Sequence, residues 1–221
     1  MSGERWASFD CYGTLIDWSG GVRESLRDLW PEHDADLLLA AYHDIEPEVQ
    51  HGRSVTYRQV LTETLQRIAH REGLELHADD AEALADSLPS WSPFPEVPAA
   101  LAELRARGWR LAILSNTDPD LLDASLERIG VPVDLRITAA EAGSYKPAHG
   151  HWERFFEASS AARERHVHVA ASLFHDIAPA AELGLRAVWI NRLRETSDLP
   201  RAAELPDLGR LPGVLDDLVE A

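Results

Sequence analysis

Four points along the chain carry side chains that could do chemistry, each past a short apolar run or in the loop that follows it: Asp10, Ser115 with Asn116, Lys146, and Asp176 with Ser172 and His175. A carboxylate such as Asp10 before a tight turn at Gly13 is presented as a nucleophile of the kind that forms covalent intermediates. Thr14 is placed either to hydrogen-bond that carboxylate or to cap the turn. Ser115 and Asn116 offer hydroxyl, amide and backbone N–H donors at the start of a helix, where an anion is favoured. Lys146, held by Pro147 after Gly143 and Ser144, would bring an ammonium near Asp10 and keep it ionised. His175, as a neutral imidazole beside Asp176, could share in activating water; a helix-capping histidine is the other reading.

These side chains converge only if the apolar runs are neighbouring strands. Runs at 5–9, 109–114, 135–138, 167–170 and 187–190 alternate with helical patterns at 97–107, 119–129, 152–161, 177–183 and near 214–219. Short strands separated by helices mean βαβ crossovers and a parallel sheet covered on both faces. The fold class expected is therefore α/β: a three-layer, Rossmann-like core with a mostly parallel sheet, whose ligand crevice lies beyond the carboxyl ends of the strands.

From about Gly20 to Leu88 the pattern is helical instead. Tyr57, Val60, Leu61, Leu65 and Ile68 recur at helical spacing until Gly73, and Pro47 is expected to limit an earlier helix around Leu37–Ile45. Pro89, Pro93 and Pro95 then punctuate the chain. The reading is a catalytic core over 1–17 and 91–221 and a helical cap domain over 18–90.

With 38 acidic and 21 basic side chains the formal net charge is −17, and no basic run offsets it. Such a field repels nucleic acid and anionic lipid surfaces and favours a small ligand held inside a cleft. The N-terminus shows no basic flank followed by an apolar core, and no stretch approaches the ~18 apolar residues of a membrane span, so a cytoplasmic protein is expected. The single cysteine, Cys11, excludes an internal disulfide and reads as a small core residue. His149 with His151, and His166 with His168, have spacings that can bind metals. Neither pair has a cysteine or an evident carboxylate partner in the sequence, so no metal site is read there.

Asp10-Cys11-Tyr12-Gly13-Thr14-Leu15, then Leu114-Ser115-Asn116, Tyr145-Lys146-Pro147, and Asp176 before a small-residue helix together resemble the four motifs of the haloacid dehalogenase superfamily, over essentially the whole chain. The phosphatases of that superfamily usually carry a second Asp two residues after the nucleophile and a paired acid in the fourth motif, where this chain has Tyr12 and Ser172. Asp10 and Asp176 alone would hold magnesium poorly, and a phosphate ester's leaving group would find no general acid.

The pattern around Tyr12 resembles the L-2-haloacid dehalogenases, which need no metal or other cofactor. The resemblance implies in-line attack by Asp10 on the carbon bearing halogen, with inversion, and hydrolysis of the resulting aspartyl ester. It further implies that Ser115 and Asn116 hold the carboxylate of a small carboxylic acid substrate, and that Tyr12 and Trp152 line an aromatic pocket; core packing is the other reading of Trp152. The chain departs from that group at Leu173 and Ala171, where asparagine and serine are usual, and in the first cap helix, where Ala41-Tyr42-His43-Asp44 replaces an arginine-bearing stretch. His43, Arg53 and Arg58 are the candidate substitutes. The alternatives are a magnesium-dependent phosphatase of a small phosphomonoester, a hydrolase of another activated bond in a small carboxylic acid, and a non-catalytic binding protein. A homodimer is the commonest assembly for such enzymes.

Overall fold

The computed structural model describes residues 3–50 and 55–220. The elements along the chain are β1 (Arg5–Phe9), α1 (Trp18–Leu29), α2 (Ala35–Gln50), α3 (Tyr57–Glu72), α4 (Ala83–Ser87), α5 (Val97–Ala106), β2 (Trp109–Ser115) and α6 (Pro119–Ile129). They continue with β3 (Leu135–Thr138), α7 (Ala139–Ala142), α8 (Gly150–Ser159), β4 (His166–Ala170), α9 (Ala178–Glu182), β5 (Ala187–Ile190), β6 (Ala203–Leu205) and α10 (Leu211–Leu218). They divide into two compact units: Met1–Ile16, Pro93–Asn116 and Ile129–Ala221 form the first, Asp17–Ser92 and Thr117–Arg128 the second.

In the first unit the strands form one six-stranded sheet in the order β3-β2-β1-β4-β5-β6. Every neighbouring pair is parallel, with Ala7 of β1 opposite Leu111 of β2 on one side and Val167 of β4 on the other. The chain builds outward from β1 in one direction through β2 and β3, then returns to β4 on β1's other side. That reversal between β1 and β4 is the topological switch point, where parallel open sheets place their ligand crevice. β1 and β4 are buried throughout, as central strands covered on both faces must be. An apolar cluster of Trp6, Leu114, Ile137, Trp152, Phe155, Ile177 and Trp189 packs beneath them, Trp6 meeting Phe155 edge-on at 5.6 Å.

β6 has no counterpart in the sequence reading, because three residues, one of them exposed, give too little periodicity to register.

The second unit is helical. Asp17 caps α1 by accepting the Gly20 N–H at 3.0 Å, and Gly21 lies against the Trp91 indole where a Cβ would overlap the ring. α3 opens with a reciprocal capping box between Thr56 and Gln59 and ends at Gly73, whose φ of +68° suits glycine. Asp118 accepts the N–H groups of Tyr57 and Arg58 at 3.0 and 2.9 Å, which ties the 117–128 segment to this unit. The sequence reading had grouped that segment with the strands.

Pro47 does not end its helix: α2 runs on to Gln50. An internal proline forfeits one backbone bond, and here the helix keeps burying Ile45, Glu46, Val49 and Gln50 on either side of it. Among the described residues no helix is long and apolar enough to cross a membrane.

Candidate active site

Asp10 follows directly on β1, and its backbone N–H donates to the Val169 carbonyl of β4 at 3.1 Å, so the carboxylate stands at the switch point. The chain then turns sharply, with Gly13 at φ +85° and the Leu15 and Ile16 N–H groups both on the Cys11 carbonyl, at 2.7 and 3.0 Å. This turn brings Thr14 back over Asp10. The Thr14 hydroxyl accepts the Ala171 N–H at 2.9 Å, so its own proton goes to Asp10 Oδ2 at 2.7 Å. Of the two sequence readings of Thr14, the structure shows the bond to the carboxylate. Arg192, stacked on Phe94 at 3.5 Å, donates to the Thr14 carbonyl at 2.8 Å and to Glu96 at 2.7 Å, which holds the turn in place.

Lys146 is buried, and its ammonium has three acceptors for three protons: Asp10 Oδ1 at 2.9 Å, Asp176 Oδ1 at 2.7 Å and the Leu114 carbonyl at 2.9 Å. Its backbone is clamped by Asn116, whose Oδ1 accepts the Lys146 N–H at 2.6 Å while Nδ2 donates to the Lys146 carbonyl at 3.0 Å. The Asn116 side chain therefore positions Lys146, a role the sequence did not suggest. The Ser115 hydroxyl has no hydrogen-bond partner among the described residues.

Asp176 sits on a single π-helical turn, Leu173–Ile177, that follows β4. Ser172 opens this turn by accepting the His175 N–H at 3.0 Å, and its hydroxyl lies 3.2 Å from His175 Nδ1. Asp176 Oδ1 also takes a bond from His168 Nε2 at 3.0 Å, while Oδ2 has no partner among the described residues.

The electrostatics follow from this packing. Burial alone would raise the Asp176 pKa, but the Lys146 charge and the His168 hydrogen bond outweigh it and hold the group well below the usual carboxylate range. For Lys146, burial would lower the pKa, and the charges of Asp10 and Asp176 raise it instead. Burial pushes His175 down, so its imidazole is neutral near pH 7. His151 donates from Nε2 to the Ser115 carbonyl at 3.0 Å and is pushed down to about 4 by burial and by Lys146. Burial, with Asp10 next in line, pushes the Cys11 thiol up, which leaves it a core side chain.

The structure thus brings Asp10, Thr14, Lys146 and Asp176 into one hydrogen-bonded cluster, with Ser172 and His175 on the turn that carries Asp176. Tyr12, half-buried, pairs through its backbone with Ile16. Trp152 is 1% exposed and edge-on to His168 at 5.3 Å, in the apolar cluster beneath the sheet, which is its core reading. In the second unit His43 lies beside Trp18 at 5.1 Å and Tyr42 at 6.1 Å, and Arg58 pairs with Asp86 and Asp120. Arg53 lies outside the described residues.

Sequence reasoning missed His168. The dismissal of the His166–His168 pair for want of a carboxylate is corrected, since Asp176 is that partner, and His149 likewise meets Glu182 at 3.1 Å. The available signal was polarity: apart from Arg5 at the start of β1, Ser8, His166 and His168 are the polar side chains of β1 and β4. Even so, the described residues contain no group of three or more metal-ligating side chains. Both Asp10 oxygens and one of Asp176 are taken up by Lys146, Thr14 and His168. Magnesium seeks a near-octahedral set of oxygens, and this donor set does not fit it.

The comparisons with known proteins agree with this geometry. Residues 5–184 match the family described as haloacid dehalogenase-like hydrolase. The chain is 30% identical over 192 residues to the (S)-2-haloacid dehalogenase of Pseudomonas sp. strain YL, covering 84% of this chain and 82% of the relative. It is 29% identical over 191 residues to haloacetate dehalogenase H-2 of Moraxella sp. strain B, covering 84% of each. The L-2-haloacid dehalogenase from Xanthobacter autotrophicus with chloropropionic acid covalently bound superposes with a TM-score of 0.85 at 21% identity, over 96% of this chain and 98% of that one. With Asp10 on the turn after β1, a clamped lysine in the loop after α7, a buried aspartate on the turn after β4, and a family match spanning most of its length, this chain belongs to the haloacid dehalogenase-like hydrolases.

Proposed function

We propose that the protein hydrolyses the carbon–halogen bond of small 2-haloalkanoic acids through an ester on Asp10, without a metal. The observation that carries this reading is the Lys146 ammonium bonded to Asp10 and Asp176 together, which holds the attacking carboxylate in place and keeps Asp176 ionised to take a proton. In the first step a carboxylate oxygen of Asp10 attacks C2 in line, and the C–X bond breaks with its electron pair leaving as halide. Halide needs no proton, so the absence of an acid at Tyr12 costs nothing. In the second step water adds to Cγ of the ester and gives a proton to Asp176. The bond between Cγ and the ester oxygen then breaks, the 2-hydroxy acid takes the proton held by Asp176, and the Asp10 carboxyl left behind gives its own proton to solvent. The net change consumes one water and releases one halide and one proton.

Thr14 holds Asp10 at its attack angle, and the Ser115 hydroxyl is the donor for the substrate carboxylate. His175 supports the water from beside Asp176, a role that unchanged ester hydrolysis in His175→Ala would remove. The same reading takes the protein to be cytoplasmic and dimeric, and light scattering tests the latter. The function itself is tested by halide release from 2-chloropropionate and haloacetates with and without EDTA. Release that survives EDTA and vanishes in Asp10→Asn is expected. Phosphate release from phosphomonoesters that EDTA abolishes, without halide release, would overturn it.

A further inference from the structure

Beneath the site lies a line of buried polar groups that the chemistry above does not use. His166 Nε2 is 2.8 Å from Ser8 Oγ, Ser8 Oγ is 2.8 Å from His168 Nδ1, and His168 Nε2 is 3.0 Å from Asp176 Oδ1. All four residues are fully buried. Ser8 stands directly opposite His168 in the β1–β4 pairing, and His166 is two residues earlier on the same strand, so the side-chain alternation of the sheet lines them up.

Asp176 is ionised and can only accept, so His168 Nε2 carries a proton. Ser8 Oγ joins His168 Nδ1 to His166 Nε2, and burial pushes the His166 pKa well down. His166 Nδ1 has no partner among the described residues. The line closes on an aromatic wall, with Phe155 and Phe156 at 4.7 and 5.2 Å from the His166 ring, and Trp152 covers His168. Among the described residues no polar neighbour carries it onward from His166, so it orients a group and does not conduct protons.

We infer that Ser8, His166 and His168 are positioning residues that fix the side-chain orientation of Asp176 and so serve the hydrolysis of the ester, while the attack of Asp10 on substrate proceeds without them. Lys146 bonds the same oxygen, Asp176 Oδ1, and by itself leaves the carboxylate free to pivot about that contact. The His168 bond provides a second anchor on that oxygen and leaves Oδ2, which has no partner among the described residues, for the water it must activate. Leu173, the residue at the start of the π-helical turn, offers no polar group for this task, so the anchor comes from within the sheet.

The inference rests on the two-step reading, and the experiment separates the two. Halide and hydroxy acid are followed over a single turnover in the unsubstituted protein, Ser8→Ala, His168→Gln and His168→Leu, with mass spectrometry of the Asp10 peptide. The expected result for His168→Leu is a halide burst within about threefold of normal and ester hydrolysis slowed by about a hundredfold, with the ester accumulating on Asp10. His168→Gln, which keeps an N–H for Asp176, should recover much of the loss. Ser8→Ala should slow hydrolysis by about tenfold, the effect of one buried hydrogen bond. Equal slowing of both steps, or no ester in any variant while the unsubstituted protein turns over, overturns the positioning role alone. No halide from the unsubstituted protein overturns the two-step reading and this inference with it.

Discussion

Lys146 holds two buried carboxylates that would otherwise repel each other at the strand ends, so its removal should damage stability and chemistry together. Removing one partner of a buried pair leaves charge uncompensated and costs about 3–5 kcal/mol. Lys146→Met is expected to lower unfolding stability in urea by that order and to abolish turnover. Lys146→Met combined with Asp176→Asn should recover part of the stability but none of the activity. Asp176 also sets a pH dependence. Its folded pKa is depressed, so its contribution is present above the unfolded carboxylate value of about 4 and is lost as pH falls below it. Asp176→Asn should flatten the acid limb of the stability profile. Asp10 and Asp176 stood out in the sequence because each closely follows a buried apolar strand, and Lys146 and Thr14 because each sits beside a proline or glycine turn. His168 did not, because its carboxylate partner lies eight residues away and becomes a neighbour only through the π-helical turn.

The elements differ in how plainly the sequence announced them. The central strands were read within a residue of their observed ends, since buried parallel strands are continuous apolar runs. Helix α2 was cut short because proline is a local signal and burial a tertiary one; Val49 and Gln50 are buried beyond Pro47. The same helix carries Glu46, whose pKa burial raises from 4.5 to about 7. A folded carboxyl that titrates above its unfolded value stabilises the protein below pH ~4 and loses that contribution as pH rises to about 7, a difference of about 3 kcal/mol. Glu46→Gln should therefore raise stability at pH 8 by up to that order and leave it nearly unchanged at pH 4, as thermal or urea unfolding at the two pH values would read. A smaller effect is expected at the start of α3, where Thr56→Ala removes the capping box and should cost about 1 kcal/mol.

At the scale of the whole molecule, the formal charge of −17 opposes the approach of an anionic acid that the site is nevertheless built to consume. Screening should relieve this, so kcat/KM for 2-bromopropionate, read as bromide release, is expected to rise a few-fold as sodium chloride goes from about 10 to 200 mM. A flat or falling profile would mean that a local cationic field around Lys146 dominates capture. The net charge argues against a nucleic-acid partner and the alternation of elements announced the sheet, yet neither said that the buried cation bridges Asp10 and Asp176 together; that took the three-dimensional convergence of the strand ends. In the proposed reaction Asp10, and not an activated water, attacks the substrate. A single turnover with enzyme in excess in ¹⁸O-labelled water tests this most directly. The hydroxy acid is expected to carry unlabelled oxygen taken from Asp10, and the label to appear in the Asp10 carboxylate. Label in the product hydroxyl, with none in Asp10, would contradict it.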